Sequence, residues 1–200
     1  VLDNVQYKKN EWQNRNRIKT AQGWQWLTVP VLYKFPERIN QVRINNRVDW
    51  RRKHLQALIT NYSRAPFFNL YRDFFEGTYH REWEMLVDLN LHLIRFLADR
   101  LGITTELRLA SDYELSQEPN QRLIDLCRLL GADTYLAGQG GREYMDLAQF
   151  ERAGIRVIFQ EFEHPVYEQL YGDFLPFMSV VDLLFNHGPE SLKILRGTAK

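Results

Sequence analysis

The second half of the chain alternates between short β-type runs and longer helical runs, and this alternation restricts the possible folds most. The pattern predicts strands and helices in turn, at 104–110, 119–130, 134–137, 142–153 and 155–162. Gly131 and Gly154 follow the two helical segments, a position where glycine commonly ends a helix. This order is typical of a parallel sheet with right-handed crossovers. We therefore expect an α/β fold with a mostly parallel, Rossmann-like sheet flanked by helices.

The first half adds a β-hairpin and a group of helices. Segments 15–20 and 24–31 are rich in β-formers and flank a short turn containing Gly23, which predicts a hairpin. Further strands are expected at 1–4, as the first strand of the sheet, and at 38–45. The apolar spacing predicts helices at 49–62, 67–75, 82–101 and 178–185. We expect one domain over residues 1–200, with a helical insertion at about 48–102.

Composition excludes several classes of protein. A chain of 200 residues with 44% apolar and 26% charged residues can bury a core and is not of the disordered type. The net charge of +1 gives no reason to expect a nucleic acid or an acidic membrane as partner. The longest apolar run, Leu86 to Leu97, contains Asp88, Asn90 and Arg95 and cannot span a bilayer.

Cysteine usage points to a reducing compartment. Cys127 is the single cysteine, so a disulfide framework is excluded. Leu123, Leu126 and Leu130 surround it at helical spacing, which predicts a buried structural thiol rather than a nucleophile. No signal peptide opens the sequence. These features predict a cytoplasmic location.

A cluster of cations near the start of the chain suggests a small anion as ligand. Between residues 8 and 19 there is one acid, Glu11, against five cations: Lys8, Lys9, Arg15, Arg17 and Lys19. Strand alternation sends Asn14 and Asn16 to one face, and Arg15 and Arg17 to the other. Two neighbouring guanidinium groups repel unless an anion or carboxylates lie between them. The alternative is a solvated edge strand with surface ion pairs.

Three further segments follow predicted strands, where ligands of open α/β sheets gather. The candidates in them are Asp3, Gln6 and Tyr7, then Gly138, Gly140 and Gly141, then His164, Tyr167 and Gln169. The glycines would let backbone N–H groups approach a phosphate before a helix starting near Arg142. His164 could exchange a proton near neutral pH. A local turn at Asp3 and a ligand-free glycine turn are the alternatives.

The last candidates are Ser179, Asp182 and Asn186. The spacing of Ser179 and Asp182 also fits an N-terminal helix cap, and Asn186 before Gly188 also fits a C-terminal cap. His54 and His92 lie within predicted helices and are interpreted as packing residues. No histidines, cysteines and carboxylates have the spacing of a structural zinc site, so no metal is predicted.

Seven ordered segments together resemble the WbqC-like protein family over essentially the whole chain. They are Asp3…Gln6-Tyr7, Asn14-Arg15-Asn16-Arg17-Ile18, Trp26-Leu27-Thr28-Val29-Pro30, Trp50…His54, Tyr135-Leu136-Ala137-Gly138 with Gly140-Gly141, His164-Pro165-Val166-Tyr167…Gln169, and Ser179 through Gly188. Family members usually begin with a segment resembling His-x-Pro-x-Tyr-x-Pro-Trp, and this chain starts after it. We therefore expect an N-terminal strand and a His/Pro loop to be missing.

The resemblance implies a role in bacterial O-antigen or related surface polysaccharide biosynthesis. It suggests a transferase or ligase that adds a glycyl or other acyl group to a nucleotide-linked amino sugar. Arg15, Arg17 and the glycine loop would hold phosphate, and His164 or Asp3 would manage the amine proton. The cofactor is left undetermined, with ATP as a candidate by analogy with adenylate-forming enzymes.

Two other functions remain open. One is a non-catalytic nucleotide-sugar or phosphate binding module that uses the same basic residues. The other is a scaffold for polysaccharide enzymes, with an interface formed by exposed Trp12, Trp24, Phe67 and Phe68.

Overall fold

A β-hairpin near the start of the chain forms as the sequence predicts. In the computed structural model, which describes residues 1–197, β1 (Arg15–Thr20) pairs antiparallel with β2 (Gly23–Thr28). Gly23 has a φ of 121°, a backbone conformation that glycine adopts without steric cost, so the turn can be tight. Two short strands follow, β3 (Val31–Leu32) and β4 (Arg43–Ile44), and pair antiparallel.

Three helices follow the strands. They are α1 (Trp50–Tyr62), α2 (Phe68–His80) and α3 (Leu86–Arg100). Trp50, His54, Leu58 and Tyr62 are the buried residues of α1, so its inner face has the spacing of a helix. The helical prediction for this region is confirmed, although α2 continues five residues beyond the predicted end at Phe75. The chain from 103 to 109 has no helix or strand.

The second half contains the parallel pair that the sequence predicts. Its elements are α4 (Pro119–Leu129), β5 (Thr134–Ala137), α5 (Leu147–Arg152), β6 (Arg156–Phe159), α6 (Val180–His187) and α7 (Ser191–Leu195). Strands β5 and β6 are parallel and in register from Thr134 opposite Arg156 to Ala137 opposite Phe159. Glu118 caps α4 by accepting hydrogen bonds from two backbone N–H groups.

Several expectations were wrong, and the Rossmann-like sheet is not confirmed. The sheets within residues 1–197 have two strands each, which makes the fold mixed α/β. Residues 1–4 are not a strand, because Val1 and Leu2 are exposed and the Val1 carbonyl accepts a hydrogen bond from the N–H of Ala110, which begins a 3-10 turn rather than a strand. Residues 104–110 are not a strand either, since Leu107 is exposed and has no paired neighbour strand.

Two further segments differ in type from their prediction. Segment 38–45 is mostly a short 3-10 turn (Ile39–Gln41), followed by the two residues of β4. The helix expected at 142–153 begins only at Leu147, because the preceding residues form another 3-10 turn (Gln139–Glu143). Asp146 caps the start of α5 by accepting a hydrogen bond from Ala148 N–H.

The described residues form two compact units. The smaller unit contains residues 1–3 and 107–163, and the larger unit contains residues 4–106 with the chain from 164 onwards. Phe150 and Cys127 lie in the apolar core of the smaller unit, where burial raises the pKa of the Cys127 thiol. The structural interpretation of Cys127 is therefore confirmed. No helix within residues 1–197 is long and apolar enough to cross a bilayer.

The core of the larger unit joins the helices to the hairpin and to the end of the chain. One apolar cluster includes Ile18, Tyr62, Phe75, Leu184 and Phe185, and a neighbouring one surrounds Trp50. Phe68 is buried in the first cluster and Phe67 packs against it, so the scaffold interface expected at these two residues is wrong. Because Ile18 of β1 belongs to the first cluster, the hairpin packs against the helices.

Candidate functional site

Two arginines and three tryptophans share one face of the hairpin, which we call the Arg–Trp face (Trp12, Arg15, Arg17, Trp24, Trp26). Arg17 lies opposite Trp26 in the strand register. The Arg15 guanidinium lies 4.3 Å from the centre of the Trp26 ring, and that of Arg17 lies 5.1–5.7 Å from all three tryptophan rings. Because both arginines contact Trp26, they lie on the same side of the strand, as alternation predicts.

The Arg15 and Arg17 side chains have few protein partners. Neither has a carboxylate within ion-pair distance in the part of the chain that the structure describes. Arg15 donates a hydrogen bond to the carbonyl of Asn10. The Nε atoms of both arginines are buried and have no hydrogen-bond partner among residues 1–197. A buried donor without an acceptor is costly, so the Arg–Trp face is suited to an anionic acceptor beside a ring.

Tyr7, beside Arg15, and Asn14, on the opposite side of the strand, each have an oxygen without a partner among residues 1–197. Tyr7 is buried, packs edge-on against Tyr33 with 4.8 Å between ring centres, and has a hydroxyl without a partner. Burial raises the pKa of Tyr7, while the charge of Arg15 acts in the opposite direction. Asn14 donates from Nδ2 to the carbonyl of Val29, and its Oδ1 has no partner. Gln6, in contrast, is exposed and pairs through its backbone with Arg38.

A buried carboxylate network lies behind the hairpin, formed by Lys19, Tyr62, Tyr167, Gln169 and Asp182. Asp182 is fully buried and accepts three hydrogen bonds, from Tyr62 Oη at 2.7 Å, Gln169 Nε2 at 2.9 Å and Tyr167 Oη at 3.0 Å. Burial raises the pKa of Asp182, against the effect of these bonds and of Lys19. We call this group the Asp182 network.

Lys19 belongs to this network and not to the exposed cations with which the sequence groups it. It is 2% exposed, and its Nζ donates to the carbonyls of Asp173 at 2.5 Å and Gly172 at 3.3 Å. Burial lowers its pKa, and the charges of Asp182 and Asp173 oppose that shift. Its backbone N–H donates to Tyr62 Oη at 2.9 Å. The network thus joins β1, α1, the loop before α6 and α6 itself.

The structure replaces the two capping interpretations at α6. Ser179 is the residue before α6 but makes no side-chain cap, and its N–H donates to the carbonyl of Arg17 at 2.7 Å. Asn186 lies inside the helix and donates from Nδ2 to the carbonyl of Asp182 at 2.7 Å. Gly188 holds the C-cap position. Of the three candidates, Asp182 is the one that gathers other candidate side chains around it.

His164 lies in the loop between β6 and α6 and bonds to the backbone of that loop. Its Nδ1 is 2.8 Å from the carbonyl of Pro165, and its Nε2 accepts a hydrogen bond from Phe177 N–H at 3.3 Å. These contacts fix the proton on Nδ1. The ring also packs against Phe174 and Phe177. Both ring nitrogens therefore bond to the backbone of the loop from which Tyr167 and Gln169 reach Asp182.

The remaining candidates lie in the smaller unit. Asp3 is buried and its Oδ1 accepts a hydrogen bond from Ser111 N–H at 3.0 Å. Gly141 is needed for packing, since a Cβ there would lie 3.0–3.3 Å from Met145, Phe159 and Ala137. A Cβ at Gly138 or Gly140 would meet open space. The helix expected to start near Arg142 is wrong, because a 3-10 turn occupies that position, and phosphate binding by the three glycines stays a prediction.

Sequence reasoning missed Lys19 and Tyr62 as parts of the Asp182 network. Helical spacing identifies Tyr62 as a buried residue of α1, but its partner lies 120 residues further along the chain. Lys19 continues the alternation of Arg15 and Arg17, and that signal places it on their face of the strand. Among residues 1–197, no three metal-ligating side chains lie close enough to hold a metal ion.

Comparison with known proteins gives a family and one relative. The model of the WbqC-like protein family matches residues 1–194. The uncharacterized protein Rv1507c of Mycobacterium tuberculosis is 40% identical over 200 residues, a match that covers 98% of this chain and 86% of that protein. No solved structure matches. The seven segments quoted above all lie within the matched range, and the chain belongs to the WbqC-like protein family.

Proposed function

We propose that this protein binds a nucleotide-linked amino sugar on the Arg–Trp face and transfers a glycyl or other acyl group to its amine, in bacterial surface polysaccharide biosynthesis. One observation carries the proposal: Arg15 and Arg17 stack on tryptophans, have no carboxylate partner among residues 1–197, and bury Nε atoms without acceptors. In this proposal residues 1–200 act as one domain with a helical insertion at about 48–102.

The chemistry of the Arg–Trp face matches a phosphorylated, ring-containing ligand. Guanidinium groups bind phosphate oxygens through paired N–H donors, and the adjacent positive charges of Arg15 and Arg17 favour an anion with more than one charge. Trp12 and Trp24 are 55% and 46% exposed, so they present flat apolar surface to a sugar or a base. Tyr7, beside Arg15, supplies a hydroxyl that can donate to the same ligand.

The transfer step needs a base for the amine and an activated acyl group. The amine attacks the carbonyl of an acyl group activated by ATP as an acyl phosphate or acyl adenylate. The amide C–N bond forms as the C–O bond to the leaving group breaks, phosphate or AMP leaves, and the amine proton passes to His164 or Asp3, the candidate bases. His164 Nε2 already accepts a hydrogen bond from Phe177, and Asp3 Oδ1 accepts one from Ser111. An atom that already accepts such a hydrogen bond must break that bond before it can take up a proton. This occupancy favours a second candidate function, a binding module that holds the nucleotide sugar without turnover.

Calorimetric titration with a nucleotide amino sugar, UDP-glucosamine, tests the binding site. Arg15→Ala and Arg17→Ala should each weaken binding by roughly ten- to a hundredfold, since one charge-assisted contact contributes about 1.5–3 kcal/mol. Thermal melts should show a stability change of only about 1 kcal/mol or less. The control is Arg72→Ala, which removes an exposed arginine paired with Glu76. Unchanged binding together with a lower melting temperature would show that the two arginines are structural.

Mass spectrometry separates the enzyme from the binding module. The protein is incubated with UDP-glucosamine, glycine and ATP, and the nucleotide sugar is examined for the added mass of a glycyl group. A product that disappears with Arg15→Ala supports the transferase. Binding of UDP-glucosamine without a product over a series of acyl donors supports the module.

A further inference from the structure

A cavity of about 430 Å³ lies under the hairpin, on the side that carries Ile18 and Leu27. This volume falls within the range of about 300–1,000 Å³ that is usual for small-molecule sites. Aliphatic side chains from three helices contribute to the wall, namely Leu58, Leu89, Leu93, Leu97 and Val181. We call this space the hairpin cavity. It lies wholly within the larger unit.

The polar groups in the wall of the hairpin cavity are uncharged except for Arg15, whose guanidinium packs on Trp26 and donates to the carbonyl of Asn10. His54 is buried, and burial lowers its pKa to about 4, so the imidazole is neutral near neutral pH. Its Nε2 is 3.1 Å from the carbonyl of Thr28. Burial also raises the pKa of Tyr79, so its hydroxyl stays protonated. A charged ligand group would find no opposite charge beside His54 and Tyr79, and its desolvation in that part of the cavity would be costly.

Asn14 Oδ1 is a buried acceptor in the wall without a hydrogen-bond donor among residues 1–197. Asn14 is 9% exposed and lines the hairpin cavity, and its Oδ1 is buried without a partner. Its Nδ2 is already used on the carbonyl of Val29, 2.9 Å away, which fixes the orientation of the amide. The buried oxygen is costly unless a donor reaches it. The cavity therefore combines an apolar space with one unused acceptor.

We propose that the hairpin cavity binds an uncharged, mainly aliphatic group that donates one hydrogen bond to Asn14 Oδ1, as an acyl amide or a long-chain alcohol does. Five leucines and four other aliphatic side chains line the cavity, and these conformable groups suit a flexible aliphatic chain. The proposal does not rest on anion binding at the Arg–Trp face. Trp12 and Arg15 belong to both sites, so the cavity is tested through Ile94, which lies outside that face.

Calorimetric titration of the full chain with a small set of eight-carbon probes tests the proposal. Octanamide and octan-1-ol carry a donor, N,N-dimethyloctanamide lacks one, and octanoate is charged. Octanamide or octan-1-ol should bind at one site per chain, and the tighter of the two identifies the donor as an amide N–H or a hydroxyl. Hexanamide should bind roughly tenfold more weakly than octanamide because it buries two fewer methylene groups.

A substitution that fills the cavity locates the bound probe. Ile94 lines the cavity and is 39% exposed, so Ile94→Trp should fill the space without disrupting the buried core. It should weaken octanamide binding at least tenfold. Leu70→Trp is the matched control, because Leu70 is 60% exposed on α2 and lies away from the cavity.

Several results would overturn the proposal. Removal of the donor in N,N-dimethyloctanamide should weaken binding by roughly two- to tenfold, and equal binding would show that Asn14 Oδ1 is not the acceptor. Octanoate binding as tightly as octanamide would refute an uncharged ligand. Absence of saturable binding by both donor probes, or binding that Ile94→Trp leaves unchanged, would show that the cavity is not the site.

Discussion

The Asp182 carboxylate accepts hydrogen bonds from three other side chains. Its two carboxylate oxygens accept from two phenols and one amide, and Lys19 adds a favourable charge. A carboxylate without these partners would be strongly destabilising at a fully buried position. The network therefore explains how a charged residue is tolerated in the core of α6.

Asp182→Asn should destabilise the larger unit by about 3 kcal/mol. The introduced amide would place N–H donors opposite the Tyr62 and Tyr167 hydroxyls or the Gln169 amide, and at least one charge-assisted bond would be lost. Tryptophan fluorescence during urea unfolding measures the effect, because all five tryptophans lie between residues 12 and 83.

Asp73→Asn is the control for this substitution, since Asp73 is exposed on α2. It should change the free energy of unfolding by less than about 0.5 kcal/mol. Equal effects of the two substitutions would mean that the Asp182 network contributes nothing specific to stability.

Among the helices and their connections, the turn after α6 imposes the strictest requirement on residue type. Gly188 ends α6 with a φ of 52° and a ψ of −127°, and its N–H donates to the carbonyl of Leu184. A Cβ at this position would overlap the ring of Phe67. Phe67 is held close to α6 because its backbone N–H donates a hydrogen bond to the carbonyl of Phe185. Glycine is thus required both by the backbone conformation and by close packing.

Gly188→Ala should destabilise the protein by about 3 kcal/mol or more, from backbone strain and overlap with Phe67 together. Gly77→Ala should change the free energy of unfolding in the opposite direction. Gly77 lies inside α2, and a Cβ there would meet nothing within 4 Å. Alanine should therefore stabilise the helix by about 0.5–1 kcal/mol. Thermal and urea unfolding of both variants measures the two signs. A neutral Gly188→Ala would contradict the packing described here.

Elements with local signals could be predicted from the sequence, and elements that need distant partners could not. The hairpin, α1 and the parallel pairing of β5 with β6 follow from alternation, helical spacing and glycine turns. Residues 104–110 carry a similar β-type pattern but have no strand beside them. A strand forms only where another chain segment completes its hydrogen bonds, and a single sequence does not identify that segment.

The same distinction applies to the candidate site. The common face of Arg15 and Arg17 could be predicted because it depends only on the period of a strand. The tryptophans that surround them could not, since Trp12 precedes the hairpin and reaches Trp26 through tertiary packing. The partners of Asp182 come from three separate segments, namely β1 with Lys19, α1 with Tyr62, and the loop with Tyr167 and Gln169, and no local pattern links them.

At the scale of the whole molecule, a buried neutral histidine makes stability depend on pH. The pKa of His54 falls from 6.5 to about 4 on folding, because burial disfavours the charged ring. Between these values the unfolded chain binds a proton that the folded chain does not. Stability from His54 is therefore complete above pH 6.5 and is lost as the pH falls towards 4.

The loss should reach about 3 kcal/mol relative to His54→Gln, which cannot titrate. The comparison isolates His54, since Asp182 and His92 are present in both proteins. The folded-state pKa of Asp182 is raised, so its contribution is present at low pH and lost as the pH rises, with the opposite sign. Urea unfolding followed by tryptophan fluorescence at a series of pH values measures the difference. If the free energies of unfolding of wild type and variant change in parallel with pH, the predicted contribution of His54 is wrong.

The bond between Tyr62 and Asp182 also bears on how the protein emerges during translation. The two residues are 120 positions apart, and α6 completes the core that α1 and α2 begin. At about 5–20 residues per second, a ribosome needs roughly 6 to 24 seconds to synthesise the intervening chain. Helices form in about a microsecond. The apolar faces of α1 and α2 therefore stay exposed to solvent until α6 has been synthesised. The duration of that exposure is set by the rate of translation rather than by the rate of folding.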